Sequence, residues 1–351
     1  MLIEGVFAAV TTPFYPDDRV YFRKIEANIA RYSRSLLAGM VVLGSTGEAP
    51  ALSDSESVDV LRTAAEAASP EKVLIAGAGR ESVKGTLEMA EAAAQFHYDA
   101  VLVRTPTYYS SLMPASAIAT YFQTVADKSP LPVVLYNIPK FVPYQIPVEM
   151  VAELAQHPNI IAIKDSSGSI ERIKATIAAT QNAPRRKVTV TTVFEAVTAR
   201  MLAQVPTAAS TFVRAGELAG GSAIAVAPPV DPMKTRTKEV GFQVLTGSTA
   251  ILLQSLEAGG AGAILGFAAC APQACQEVYF AWKDHDAKLA GEKQQRILLP
   301  SQRVVSELGI SGVKYACDFN GYYGGYARRP LLPLDAKQKA EIEGILAGIR
   351  N

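Results

Sequence analysis

The stretch NIIAIKDSSG, residues 159–168, is a short apolar run that ends abruptly on a charged side chain. Three isoleucines and an alanine lead directly into Lys164, and a carboxylate and two serines follow. Near-continuous hydrophobic runs of this length are typical of parallel strands that are buried on both faces. The stretch therefore predicts a buried strand that ends on a lysine, and the purpose of that amine has to be explained.

Eight such apolar runs occur along the chain, and helical patterns lie between most of them. The helix predicted over residues 53–67 begins with Ser53 and Glu56, which have the spacing of a capping box. Eight alternations of strand and helix predict the α/β class and a (β/α)8 TIM barrel. We expect the barrel to occupy residues 1–290 and a C-terminal helical extension to occupy residues 291–351. The eight runs are residues 6–14, 40–48, 72–79, 100–106, 132–139, 159–167, 241–248 and 260–267.

An insertion at about residues 181–240 separates the sixth helix from the seventh strand. Residues 187–204, KVTVTTVFEAVTARMLAQ, also have a strand-turn-helix pattern and compete for the seventh position with residues 241–259, GFQVLTGSTAILLQSLEAG. We favour the second segment, because its strand leads through a short helix directly into a glycine-rich turn and the eighth strand. Chain order places the insertion at the bottom of the barrel. It is either a tolerated excursion, which we favour, or an added oligomer or regulatory contact.

Composition excludes several classes of function. The 351 residues are 49% hydrophobic with a net charge of +1, which gives no electrostatic reason to expect nucleic acid or an anionic membrane as a partner. No apolar window of about 18 residues occurs, so no membrane span is expected, and the start of the sequence does not resemble a signal peptide. Three cysteines without metal-ligand spacing argue against a disulfide framework and a metal site. We therefore expect a cytoplasmic protein without a metal.

Lys164 becomes a candidate for catalysis if the fold is a barrel, because the carboxyl ends of barrel strands face the catalytic mouth. Burial disfavours the charged form of an amine, and a neutral amine can attack a ketone to form a Schiff base. A lone lysine at a strand end more often extends its amine to solvent or pairs with a neighbour such as Asp165. The other strand ends decide between these interpretations.

Polar residues capable of binding or proton transfer follow three other predicted strands. Tyr136 ends the fifth strand, beside the sixth, where a hydroxyl could relay protons. Ser45 and Thr46 lie in a glycine-bounded turn after the second strand, whose amides could bind a carboxylate. Tyr108 and Tyr109 follow the fourth strand, where a tyrosine pair is also typical of packing or of an interface. Each feature is weak evidence on its own.

The motifs GSTGE, TPTYYS, LYNIP and IKDSSG occur in that order, each at the end of a predicted strand. Together they resemble the dihydrodipicolinate synthase / N-acetylneuraminate lyase family of class I pyruvate-type aldolases. The resemblance covers essentially the whole chain except the insertion. It implies that Lys164 forms the Schiff base and that Tyr136 relays protons with Ser45. It also implies that one subunit contributes Tyr108 to its partner across a dimer interface. It also implies a homo-oligomer, a dimer of dimers, that needs no cofactor.

The resemblance also suggests how the substrate is bound. The turn formed by Ser45, Thr46 and Gly47 would hold the carboxylate of pyruvate. Ser166 lies just beyond the lysine and would line its pocket, and Ile264 in the eighth strand would face the mouth.

The departures from the family pattern bear on which member this is. Dihydrodipicolinate synthases typically carry an arginine two residues after the proline of YN-x-P, where this chain has Phe141, preceded by Lys140. Phenylalanine cannot make the bidentate carboxylate contact that arginine makes. Serine at position 45 resembles 4-hydroxy-2-oxoglutarate aldolases more than dihydrodipicolinate synthases. The same is true of segments such as TVADKSPLPVVLYNIP and AQHPNIIAIKDSSG.

The implied reaction is cleavage of a 4-hydroxy-2-oxo acid to pyruvate and an aldehyde. The alternatives are condensation of pyruvate with aspartate semialdehyde, an aldolase or dehydratase for 2-keto-3-deoxy sugar acids, and a binding protein of the family that no longer catalyses.

Overall fold

The computed structural model describes residues 1–193, 195–203 and 234–349. Eight strands of this part of the chain form a closed barrel in which every neighbouring pair is parallel. The predicted (β/α)8 barrel is therefore confirmed. The barrel strands are β1 (Gly5–Ala9), β2 (Gly39–Val42), β3 (Val73–Gly77), β4 (Ala100–Arg104), β5 (Val133–Asn137), β6 (Ile160–Asp165), β9 (Gln243–Thr246) and β10 (Gly262–Leu265); β7 (Arg186–Thr191) and β8 (Thr235–Val240) form a separate antiparallel pair.

The seventh position of the barrel is taken by β9, which lies between β6 and β10. This confirms the choice of residues 241–259 over residues 187–204. The burial of the two strands gives the reason. All four residues of β9 are buried, as a barrel strand requires, whereas β7 buries only Val188 and Val190 and leaves its other four residues exposed or half-exposed. A strand with one apolar face fits a hairpin that lies against a surface.

Helices alternate with the barrel strands and then continue beyond the last one. Ser53 and Glu56 form both hydrogen bonds of the predicted capping box at the start of α2. The helices are α1 (Phe22–Ser33), α2 (Asp54–Ala67), α3 (Val83–Gln95), α4 (Ala115–Lys128), α5 (Val148–Leu154), α6 (Ile170–Thr180), α7 (Ala199–Ala203), α8 (Leu252–Glu257), α9 (Pro272–Lys283), α10 (Ala287–Ser301), α11 (Gly309–Phe319) and α12 (Ala336–Leu346).

The C-terminal helices differ from a simple continuation of the pattern. The boundary predicted between residues 290 and 291 falls inside α10, which is capped by Asp286 through a hydrogen bond from the amide of Leu289. Near its end α10 contains Pro300, which has no amide hydrogen to donate, and the chain then forms a π-helical segment at Gln302–Glu307. This segment returns toward the barrel mouth before α11 begins.

The described parts of the insertion contact the amino-terminal ends of the barrel strands, as chain order predicts. Arg186 donates hydrogen bonds to the carbonyls of His157, Pro158 and Ile160, where β6 begins. Lys238 pairs with Glu4, just before β1, at 2.7 Å. Residues 204–233 of the insertion lie outside the described residues. Within the ranges given above, no helix has the length and apolar character needed to cross a membrane.

The barrel interior is filled by apolar side chains that form one cluster from the bottom to the mouth, including Ile3, Phe7, Val134, Ala162, Leu245 and Ile264. Side chains alternate between the two faces of a strand, so the residue two positions further points to the same side. Lys164 follows Ala162 by two residues, and Tyr136 follows Val134 by two. The strand pattern thus continues the interior stack into an amine and a phenol at the mouth.

Candidate active site

A cavity of about 260 Å³ opens at the carboxyl ends of the barrel strands. Its inner wall comes from strand ends and the loops that follow them, and its outer wall comes from α10, the π-helical segment and α11. The inner wall includes Ser45, Thr46, Tyr136, Lys164, Ser166 and Gly247, and the outer wall includes Ser301, Gln302, Val305, Ser306 and Ile310.

Lys164 is almost fully buried, with 4% of its surface exposed, and its side chain lines this cavity. Its amine lies 4.2 Å from the centre of the Tyr136 ring. The neighbouring Asp165 is engaged elsewhere, since it accepts hydrogen bonds from Arg172 at 2.7 Å and Asn137 at 2.9 Å. Within the described residues, no carboxylate pairs with Lys164. The pairing of Lys164 with Asp165, which the sequence allowed, is therefore not formed.

Tyr136 and Ser45 bring two hydroxyl groups together beside the amine. The Tyr136 hydroxyl and Ser45 Oγ are 3.3 Å apart, within hydrogen-bond distance. Tyr136 lies opposite Lys164 in the register of β5 and β6, so both side chains reach the same level of the barrel. A phenol between an amine and a second hydroxyl is placed to move protons in either direction.

The turn after β2 presents free backbone amides to the cavity. Ser45–Gly47 is a single 3-10 turn, in which Gly47 donates to the carbonyl of Gly44 and Glu48 donates to that of Ser45. In the described structure, the amides of Ser45 and Thr46 donate no backbone hydrogen bond. Two unpaired amides beside a serine hydroxyl can bind a carboxylate.

Three of the predicted catalytic and substrate-binding residues are absent from the cavity lining. Gly47 is buried in the turn and accepts a hydrogen bond from Thr12. Ile264 is fully buried in the barrel interior, in the same apolar cluster as Tyr136, and its expected position facing the mouth stays a prediction. By strand alternation the cavity residue of that strand is Gly266, two positions later. Tyr108 lies outside the cavity and is 80% exposed, with its ring against Tyr109.

The loop that carries Tyr108 is held by a single carboxylate. Glu81 accepts hydrogen bonds from the amides of Thr107 and Tyr108 and pairs with Arg104 at 2.8 Å. Partial burial raises the pKa of Glu81, but these amides and the guanidinium more than offset it and lower the pKa to about 2. The exposed tyrosines are thus presented on a fixed loop.

Sequence reasoning missed Gly247 and the whole outer wall. A methyl group on Gly247 would lie 1.9 Å from Ser166 Oγ and 3.2 Å from Lys164 Cε, so this position has no room for a side chain. A glycine directly after a buried strand was the available signal. The outer-wall residues carry no such local signal, because they come from helices more than a hundred residues beyond Lys164 in the chain.

The charges around the cavity have one sign. Lys140 and Lys164 both line it, and its described lining contains no aspartate, glutamate, arginine or histidine. Lys140 donates a hydrogen bond to the carbonyl of Ser306 at 2.7 Å, which ties the β5 loop to the π-helical segment, and no carboxylate of the described residues pairs with its amine. The half-exposed ring of Phe141 lines the same cavity.

Comparison with known proteins places these features in a family. The sequence profile of the dihydrodipicolinate synthetase family matches residues 2–186 and 230–349, so it leaves out most of the insertion. The chain is 30% identical, over 99% of its length and 95% of the relative's, to L-threo-3-deoxy-hexylosonate aldolase from Hypocrea jecorina. It is 28% identical, over 99% of both chains, to 4-hydroxy-tetrahydrodipicolinate synthase from Acidiphilium cryptum (strain JF-5).

Solved structures share the fold. YagE, a prophage protein of the dihydrodipicolinic acid synthase family from E. coli K12 in complex with pyruvate, superposes with a TM-score of 0.77 over 99% of both chains at 24% identity. A dihydrodipicolinate synthase from Bacillus anthracis gives a TM-score of 0.78 over both whole chains at 22% identity. The profile match covers most of the sequence and these two relatives align along 99% of it, so the chain belongs to the dihydrodipicolinate synthetase family and is a carbon–carbon lyase of that family.

Proposed function

We propose that this protein is a class I aldolase in which Lys164 forms a Schiff base with a 2-oxo acid and releases pyruvate. The observation that supports this most directly is the state of Lys164. Its amine is buried, has no carboxylate partner among the described residues, and lies beside the hydroxyl pair of Tyr136 and Ser45. A buried amine without a counterion is costly for folding, and covalent catalysis is a reason to retain it.

The proposed reaction uses these groups in sequence. The substrate carboxylate binds at the amides of Ser45 and Thr46, and the unprotonated Lys164 amine attacks C2 of the ketone. Loss of water, with the proton supplied through Tyr136, leaves a protonated imine.

Tyr136 then accepts the proton of the C4 hydroxyl, and the electron pair of the C3–C4 bond moves to the imine nitrogen. The aldehyde departs and an enamine remains. Protonation at C3 and hydrolysis by water release pyruvate and restore the amine.

The charge of the cavity favours a dicarboxylate substrate. Once Lys164 has become a protonated imine, its charge and that of Lys140, with no acidic group in the described lining, match a dianion better than a monoanion. With one carboxylate at the Ser45–Thr46 turn, Lys140 can bind a second carboxylate at the far end. A 4-hydroxy-2-oxoglutarate-like acid, cleaved to pyruvate and glyoxylate, has this charge. Synthesis of a dipicolinate precursor is less favoured, because Phe141 cannot grip the carboxylate of a semialdehyde as arginine does.

A second candidate is an aldolase for 2-keto-3-deoxy sugar acids, whose distal end is hydroxylated and neutral. The relative named L-threo-3-deoxy-hexylosonate aldolase supports it, as do Ser248, Thr249 and Ser306 in the cavity lining, which can hydrogen-bond to hydroxyls.

Borohydride trapping tests the proposal. The protein is incubated with pyruvate and reduced, and the adduct is located by peptide mass spectrometry. We expect an adduct on Lys164 that is absent in Lys164→Ala. Lys140→Ala is the matched control, because it removes the other lysine of the same cavity and should leave the adduct in place. If folded protein yields no adduct, the mechanism is wrong and a non-catalytic binding member becomes the better interpretation.

The substrate is tested with Lys140→Met and two acids. We expect the variant to lose about tenfold in kcat/KM for 4-hydroxy-2-oxoglutarate, the value of one charge-assisted hydrogen bond. Its kcat/KM for a 3-deoxy-hexulosonate should change little. A higher kcat/KM of the wild type for the sugar acid would select the second candidate.

The assembly is part of the proposal. Tyr108, Tyr109 and Leu112 form an exposed apolar cluster on one loop, which fits a contact with a second copy in a homo-oligomer, a dimer of dimers. Tyr108 would then reach the partner's cavity and complete its proton relay. Sedimentation velocity of Leu112→Asp tests this, since a folded species smaller than the wild-type oligomer, with reduced activity, is expected, and an unchanged oligomer would contradict it.

A further inference from the structure

A buried ion pair that the proposed chemistry does not use lies directly behind the Ser45–Gly47 turn. Glu48 Oε1 and Lys314 Nζ are 2.5 Å apart, and their side chains are 2% and 1% exposed. Glu48 is the next residue after the turn, and Lys314 lies in α11 of the C-terminal region. Burying two charges costs desolvation that their attraction seldom more than offsets, so such a pair needs another reason to be present.

The pair fixes the backbone of the turn from the C-terminal side. Glu48 adopts the left-handed conformation, with φ of +55°, which residues other than glycine rarely adopt. Its second carboxylate oxygen accepts a hydrogen bond from the amide of Arg328 at 2.8 Å. Lys314 also donates to the carbonyl of Tyr326 and lies over the ring of Phe14 at 4.4 Å. The carboxylate of Glu48 is therefore held at two points of the C-terminal region.

The conformation of Glu48 and the orientation of the preceding amides are coupled. The amide of Glu48 closes the turn on the carbonyl of Ser45, so a change of the Glu48 backbone changes the turn. Strained backbone conformations persist only where the surroundings hold them in place. Burial lowers the pKa of Lys314, and the adjacent Glu48 opposes this shift.

We propose that Glu48 and Lys314 are positioning residues that hold the Ser45 and Thr46 amides in place for the substrate carboxylate, so that the C-terminal region sets the affinity for the 2-oxo acid. This inference rests on the function proposed above. Neither side chain lines the cavity, so both act through the turn. Without the pair, the amides lose their alignment, and the carboxylate binds more weakly while the amine of Lys164 is unaffected.

The test measures the pyruvate concentration that half-saturates borohydride trapping on Lys164, together with the maximal trapping rate and the thermal midpoint. The variants are Glu48→Gln, Lys314→Met and the double variant Glu48→Gln/Lys314→Met. We expect the half-saturating pyruvate concentration to rise about tenfold or more in each single variant, as for a misaligned binding group. The maximal rate should stay within about twofold.

The double variant separates positioning from stability. Removing both charges takes away the unpaired buried ion that each single variant leaves behind, so the thermal midpoint should recover. The half-saturating concentration should remain raised, because the anchor is still absent. The double variant also decides the question if a single variant does not fold.

Arg200→Met is the matched control, since it removes a buried cation at the opposite end of the barrel, where Arg200 donates to the carbonyls of Lys72 and His97. Arg200→Met should lower the thermal midpoint and leave the half-saturating pyruvate concentration unchanged.

Two outcomes would overturn the inference, and they are distinguishable. A half-saturating concentration in the double variant within about twofold of the wild type, with the wild-type adduct on Lys164 present, would show that the pair is only structural. No adduct in the wild type would refute the proposed function itself, and the positioning role with it.

Discussion

Replacing Gly247 by alanine should damage catalysis through a single methyl group. Gly247 follows β9 and lies against both Lys164 and Ser166. The added carbon would stand 1.9 Å from Ser166 Oγ, about 1.5 Å short of the 3.4 Å at which ordinary contact begins. It would also stand 2.9 Å from Ser166 Cβ, so rotation of the serine hydroxyl alone cannot relieve the overlap.

The cost follows from these distances. Inserting a methyl group into a packed site typically destabilises a protein by about 1–3 kcal/mol. Because the same carbon would lie 3.2 Å from Lys164 Cε, the displacement reaches the nucleophile. A shift of about 1 Å at a reacting group can reduce the rate about a hundredfold. We therefore expect Gly247→Ala to lose about 10- to 100-fold in kcat/KM while it remains folded.

The assays are urea unfolding, for the free energy, and steady-state cleavage with borohydride trapping, for the site. Gly241→Ala is the matched control, because it lies just before the same strand and a methyl group there would meet no atom within 4 Å. Gly247→Ala/Ser166→Gly is the rescue, because it removes both overlapping atoms. The rescued protein is compared with Ser166→Gly alone.

Two results would refute this reasoning. One is a Gly247→Ala enzyme with wild-type kcat/KM. The other is a loss of activity from wild type to Gly247→Ala that equals the loss from Ser166→Gly to the double variant. The loss would then not arise from contact with Ser166.

Other consequences of the structure can be tested separately. Tyr136→Phe keeps the ring under the amine and removes the hydroxyl, so cleavage should slow about 10²- to 10⁴-fold with little change in unfolding free energy, and wild-type kcat would rule out the proton relay. Glu81→Gln should weaken the two amide bonds that hold the Tyr108 loop, which amide hydrogen exchange of residues 107–109 would report as faster exchange. The pKa of Glu81 lies near 2 in the folded protein, below its ordinary value of 4.5, so its contribution to stability is full above pH 4.5 and disappears as the pH falls toward 2. In acid unfolding curves, the advantage of the wild type over Glu81→Gln should vanish across that interval, and an advantage that persists at the acid end would contradict the assignment.

The fold and the position of Lys164 and Tyr136 at the barrel mouth could be predicted, because their signals are local. Continuous apolar runs identified the barrel strands, and the alternating burial of residues 187–191 separates the hairpin from the true seventh strand at 243–246. Lys164 and Tyr136 were found because each ends an apolar run, and the ends of parallel strands meet at one mouth. The same pattern assigns Ile264 to the barrel interior, where the structure has it, but it does not give the depth of a side chain along the barrel axis.

The sequence by itself therefore determined the barrel, the amine and phenol at its mouth, and the turn that offers free amides. Only the tertiary structure decided that Asp165 pairs with Arg172 and that Gly247 leaves room for the amine. It also decided that the helices after Lys283 close the cavity. The same holds for Glu48 and Lys314, which lie far apart in the chain and meet in the interior. The physical reason is that periodicity records which face of an element is buried, whereas a contact between distant segments depends on how their side chains pack.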